Sequence, residues 1–205
     1  MGMTNELKTN INKIEKEDIV QYAELMHTSS TRIYGLLTNL LEWSRLQTGR
    51  MEYNRGKLDL FIEIENIKYL FSSVSKGKDI LIRNEVPSDT FVYADENMLL
   101  TILRNLISNA IKFTKEKGEI SITSNPVNEF VEVTIKDNGI GMSNEVLKKI
   151  FRIDSSFTTT GTNGEEGSGL GLVLCKDLVK KNNGDLSVAS QPDMGSTFTF
   201  TLPLA

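Results

Sequence analysis

The chain has 205 residues, 39% of them apolar, with a formal net charge of −4, one cysteine and one histidine. That length supports one good core with a small appendage, so one or two domains are expected. The lysines are scattered among glutamates instead of forming blocks, which excludes a basic field for phosphate backbones, and no nucleic acid partner is expected. The lone Cys175 excludes a disulfide frame and a cysteine metal knuckle, and fits a reducing compartment. No apolar run approaches the roughly 18 to 20 residues that cross a bilayer, and the start MGMTNELKTN lacks an apolar signal core. No membrane contact and a cytoplasmic location are therefore expected for this piece, even if a parent chain is anchored in the inner membrane.

In chain order, the first signal is helical. Ile19, Met26, Ile33 and Leu40 recur every seven residues, with Tyr22, Ser29, Leu36 and Trp43 three positions on. This is the seam of a long helix packing lengthwise against a partner or onto its own domain. It should stop near Gly49, which tolerates the left-handed conformation that ends helices. The stretch LDLFIEIENIKYLFSSVSKGKD predicts a second helix stopped at Gly77, and ILIRNEV and TFVYA predict short strands. DENMLLTILRNLISNAIKFTKEKG predicts a buried helix capped by Asp95, with Met98, Ile102, Leu106 and Ala110 or Ile111 on one face. EISITSN and FVEVTIKD alternate as strands, and SNEVLKKIF predicts a short helix. The glycine-, serine- and threonine-rich stretch 154–171 predicts a mobile loop. A helix LGLVLCKDLVKKNNG ending at Gly184 and two strands, DLSVASQ and GSTFTFTLPL, close the chain. Helices interleaved with mostly hairpin-connected strands imply an α+β fold of two layers, a mixed sheet covered by helices.

Three stretches carry chemistry. Strand FVEVTIKD ends in Asp137, followed by Gly139 and Gly141. A desolvated carboxylate needs a donor from the fold or from a ligand, and an Asp facing a planar ring accepts from an exocyclic amine, which selects adenine over guanine. DNG is also an ordinary turn signal. Gly167, Gly169 and Gly171 in EEGSGLGL run straight into a helix, whose bare N–H groups and dipole bind phosphate. The spacing matches neither a dinucleotide fold nor a P-loop. Asn105, Asn109 and Lys112 lie at i, i+4 and i+7 on the apolar helix, a line that suits Mg²⁺ with phosphates or simply faces solvent.

Taken together, NLISNAIKFT, DNGIGM, IFRIDSSF, GSGLGL and GSTFTF stand in the order of the N, G1, F, G2 and G3 boxes of the sensor histidine kinases. The chain thus resembles the ATP-binding Bergerat fold shared with gyrase, the Hsp90 chaperones and the MutL repair proteins, over about residues 95 to 203. LLTNLLEWSRLQTGRMEYN is similar to the end of the second helix of the kinase dimerisation hairpin. The resemblance implies a partial hairpin over 1–50 and a catalytic domain over 51–205. It implies Asp137 as the adenine-amine acceptor, Gly139 and Gly141 as the pocket floor, Asn109 as the magnesium ligand and Lys112 as a phosphate contact. It also implies Gly167, Ser168, Gly169, Leu170 and Gly171 as a phosphate cradle, Thr197 near the base, and 154–167 as an ATP lid.

Asn105 and Lys112 are the positions it assigns to catalysis, with one departure. Relatives that hydrolyse ATP directly have a glutamate four residues before the magnesium asparagine to activate water; here that position is Asn105. The resemblance therefore implies ATP and Mg²⁺ as cofactors and transfer of the γ-phosphate to a histidine. A response-regulator receiver domain is the implied relay partner, and a homodimer through the hairpin helix is implied. The region 153–170 contains no lysine or arginine, leaving Lys112 and Arg152 to neutralise phosphate. His27, in ELMHTSSTRIYG, lacks the acidic and basic residues that follow the family's acceptor. It is expected to be a surface residue, with the acceptor upstream of this piece. A direct ATPase and a nucleotide-free signalling module are the alternatives.

Overall fold

The computed structural model describes residues 16–152, 159–165, 167 and 169–205. Two compact units result, Met1–Leu41 and Glu42–Ala205. Helix α1 (Lys16–Gln47) carries the seven-residue seam, and in the first unit Ile19, Ile33 and Leu40 are exposed. The helix stops where Gly49 takes φ +68° and the Arg50 amide reaches back to the Arg45 carbonyl at 3.0 Å.

In the second unit, β1 (Arg55–Asp59) pairs antiparallel with β3 (Phe91–Asp95). A five-stranded sheet runs in the order β2 (Leu81–Asn84), β4 (Glu119–Val127), β5 (Phe130–Asp137), β7 (Gly195–Pro203), β6 (Leu186–Gln191). Only β2 and β4 are parallel, so the sheet is mixed. Alternation sets its buried face: Val131, Val133 and Ile135 on β5 and Phe198, Phe200 and Leu202 on β7 point into the core. Against them pack α2 (Leu60–Leu70), α4 (Glu96–Phe113) and α6 (Gly171–Lys181), completing the expected α+β arrangement of helices on a mixed sheet. Asp95 caps α4 by accepting from the Met98 amide at 3.0 Å, and Leu99, Ile102, Leu103, Leu106 and Ile107 are fully buried beneath it.

Four boundaries differ from the sequence reading. Strand β1 precedes the second helix and was not expected, because its pairing with β3 is non-local and Leu58 is its only large apolar residue. The second helix breaks at Phe71 (φ −93°, ψ 6°) into α2 and the short α3 (Ser72–Gly77). The stretch SNEVLKKIF keeps only one turn, α5 (Asn144–Leu147), capped by Ser143. Helix α6 ends at Lys181, and the left-handed residue is Asn183 (φ +62°) instead of Gly184.

Candidate functional site

Strand β5 delivers Asp137 to the edge of the core with 4% of its surface exposed. Its Oδ1 accepts from the Gly139 amide at 2.9 Å and the Ser196 amide at 3.2 Å. Oδ2 accepts nothing among the described residues, and Asp137 lines a cavity of about 210 Å³. Burial holds its pKa above the ordinary value, opposed by the two backbone bonds. The fold thus supplies donors to one oxygen of a cavity-lining carboxylate and, among the described residues, none to the other.

The two glycines after it also meet a constraint set by the fold itself. A Cβ at Gly139 would overlap the Phe113 carbonyl, where α4 ends. At Gly141, φ is +64° and a Cβ would overlap the Gln191 carbonyl. Both are glycines because protein backbone, with or without ligand, passes close by. Gly141 lines the cavity and Gly139 does not.

Asn105, Asn109 and Lys112 all face this cavity from α4. Asn105 donates through Nδ2 to the Thr101 carbonyl at 2.9 Å, and its Oδ1 lies against Gly171, where a Cβ would crowd it. Lys112 donates to the Thr159 carbonyl at 2.8 Å, with its ammonium 4.6 Å from the Phe113 ring centre. The glycine-rich side contributes Gly167, Gly169 (φ +73°) and Gly171, the first residue of α6. Among the described residues no side chain caps that helix start, and the first amides of a helix have no partner within it. Leu170 precedes the helix in a right-handed helical conformation and does not line the cavity. Ser168, and residues 154–158 and 166 of the expected lid, lie outside the described residues.

Thr197 is absent from the cavity wall, while Ser196 and Phe198 on either side are part of it. Strand alternation accounts for this: Phe198 is buried, so Ser196 shares its face and Thr197 takes the other. The period of two in GSTFTF held that information. Apolar Ile140, Met142, Ile150 and Leu172, also unforeseen, complete a surface suited to a flat ring. Ser190 braces the same corner: its hydroxyl accepts from the Met142 amide at 2.8 Å and lies 3.1 Å from the Ser196 hydroxyl.

A buried carboxylate, an amide line and a glycine-rich helix start therefore line one cavity. Residues 94–205 match the family described as histidine kinase-, DNA gyrase B- and HSP90-like ATPases. The chain belongs to this family. Relatives include the sensor protein EvgS of Escherichia coli strain K12, 30% identical over 98% of the chain, which spans 18% of EvgS. The catalytic domain of histidine kinase ThkA, in a nucleotide-free form, is 31% identical with a TM-score of 0.63, covering 75% of this chain and 96% of that one. Full-length ShkA in complex with AMPPNP is 26% identical with a TM-score of 0.75, covering 94% of this chain and 40% of that one. The chain thus spans only a minor part of EvgS, and no helix among its described residues is long and apolar enough to cross a membrane.

Proposed function

We propose that this chain is the ATP-binding catalytic part of a two-component sensor histidine kinase, transferring the γ-phosphate of ATP to a histidine for relay to a response-regulator receiver. The observation that carries the reading is Asp137, a cavity-lining carboxylate with one oxygen held by two backbone amides and the other without a donor among the described residues. An adenine amine donates to that oxygen, whereas a guanine carbonyl in the same place would repel it. Gly167, Gly169 and the start of α6 offer amides to the phosphates, and Lys112 offers the cation.

Magnesium fits the residues present as a companion of the nucleotide. Asn109, which carries an amide oxygen, lines the cavity, and no cluster of three or more acidic, histidine or cysteine ligands exists among the described residues. A single hard oxygen ligand suits an ion that keeps its waters and is otherwise held by phosphate. When bound, it would neutralise phosphate charge.

Asn105 supports transfer over hydrolysis. Its amide has no basic site to take a proton from water, and its Nδ2 is committed to the Thr101 carbonyl. The role of this chain is to bind, orient and screen the phosphates until a better nucleophile arrives. His27 is exposed on α1 and lacks flanking residues suited to activating it, so the acceptor is a histidine outside these 205 residues.

The test is labelled Mg·ATP offered to this chain with and without a separately produced histidine-bearing hairpin. Label on the hairpin and none on His27 is expected. Steady phosphate release without acceptor would favour a direct ATPase instead. A flat calorimetric titration with a non-hydrolysable ATP analogue would leave a nucleotide-free signalling module.

A further inference from the structure

Lys78 follows α3 and is 5% exposed. A buried ammonium without partners costs several kcal/mol, so its acceptors reveal what it holds. Its Nζ donates to the Ile111 carbonyl at 2.9 Å, the Thr162 hydroxyl at 2.6 Å and Glu165 Oε1 at 3.0 Å, with the Lys112 carbonyl at 3.3 Å. Ile111 and Lys112 belong to the last turn of α4, whose carbonyls lack helical partners and carry partial negative charge.

The other two acceptors lie in the glycine-rich stretch. Thr162 donates its amide to the Lys112 carbonyl at 3.0 Å, and its hydroxyl lies 2.9 Å from the Thr114 carbonyl. Glu165 folds the segment around itself, accepting from the Gly161 amide through its carbonyl at 2.7 Å and from the Asn163 amide through Oε2 at 2.8 Å. Gly161 has no room for a Cβ against Glu165 Oε2 on one side and the Lys112 side chain on the other. The carboxylate of Glu165 thus sits one glycine away from the aliphatic stem of Lys112, a residue that lines the cavity.

We infer that Lys78, through Glu165 and Thr162, is a positioning clasp for the phosphate end of the cavity. It fixes residues 159–165 on the end of α4 and neutralises Glu165, keeping that carboxylate from pairing with Lys112 or repelling a polyphosphate. Lys78 is not among the residues that line the cavity. The inference rests on the reading of the cavity as an ATP site.

Calorimetric titrations of the whole chain with AMPPNP and with adenosine test it. In Lys78→Met the freed Glu165 captures Lys112, so AMPPNP affinity falls about tenfold or more while adenosine affinity holds within about twofold. The double variant Lys78→Met/Glu165→Gln removes the competing charge and recovers most of the AMPPNP affinity, which a purely structural role for Lys78 would not produce. A folded Lys78→Met binding AMPPNP like the wild type, or a double variant no better than the single one, would overturn the clasp. Wild-type chain that ignores AMPPNP would overturn the site reading instead. Should Lys78→Met not fold, hydrogen exchange decides on Glu165→Ala: the Gly161 and Thr162 amides exchange about tenfold faster if the clasp exists, and unchanged if it does not.

Discussion

Asp137 joins two effects of opposite sign. Its raised pKa means that the folded protein disfavours the ionised carboxylate. That penalty is absent below the ordinary carboxylate range near 3.8 and appears as pH rises through the raised value. Asp137→Asn keeps an acceptor for the Gly139 and Ser196 amides without the charge. It should therefore melt higher than wild type at neutral pH, the gap closing as pH falls toward 3.8, as calorimetry across pH would record. The same change turns a donor toward the adenine amine and should weaken ATP binding by about 10- to 100-fold. Loss of affinity together with lower stability would contradict this picture. Gly141→Ala should lower stability by about 1–3 kcal/mol in denaturant unfolding, since it adds a Cβ to a left-handed residue beside the Gln191 carbonyl.

Among the elements, those with local signals were legible and those made by distant partners were not. Helix α4 combines a cap at Asp95 with an unbroken apolar face, and both survive in the structure. Strand β1 has neither and exists because β3 offers it a ladder more than thirty residues away. Their meeting point makes a prediction. Asp95, 4% exposed, accepts from the Met98 amide and also from the Asn54 amide at 2.8 Å, so one carboxylate starts α4 and positions the entry to β1. Asp95→Ala strands two amides and should cost about 2 kcal/mol of unfolding free energy. In the cavity, Asp137 and the amide line were readable because polar residues interrupt apolar periods there. Lys78 was not readable: a lone lysine after Gly77 looks like any solvated charge until the fold brings Glu165 beneath it.

For the whole molecule, all the cavity residues lie in the second compact unit, Glu42–Ala205. A protein of residues 42–205 should therefore fold and bind AMPPNP within about twofold of the longer chain, as calorimetry would show. A large loss would mean that the first unit shapes the site. Phe200 on β7 is among the largest fully buried side chains of the second unit, and Phe200→Ala should cost about 3–5 kcal/mol in denaturant unfolding.

Strand β7 lies between β5 and β6 in the sheet although it follows both in the chain, and it provides Ser196 and Phe198 to the cavity. On a translating ribosome, then, β5 and β6 have no hydrogen-bonded link until residues 195–203 emerge. The cavity therefore lacks one wall in any nascent polypeptide stalled before residue 195, and a ligand that needs Ser196 and Phe198 has nothing to bind at that stage.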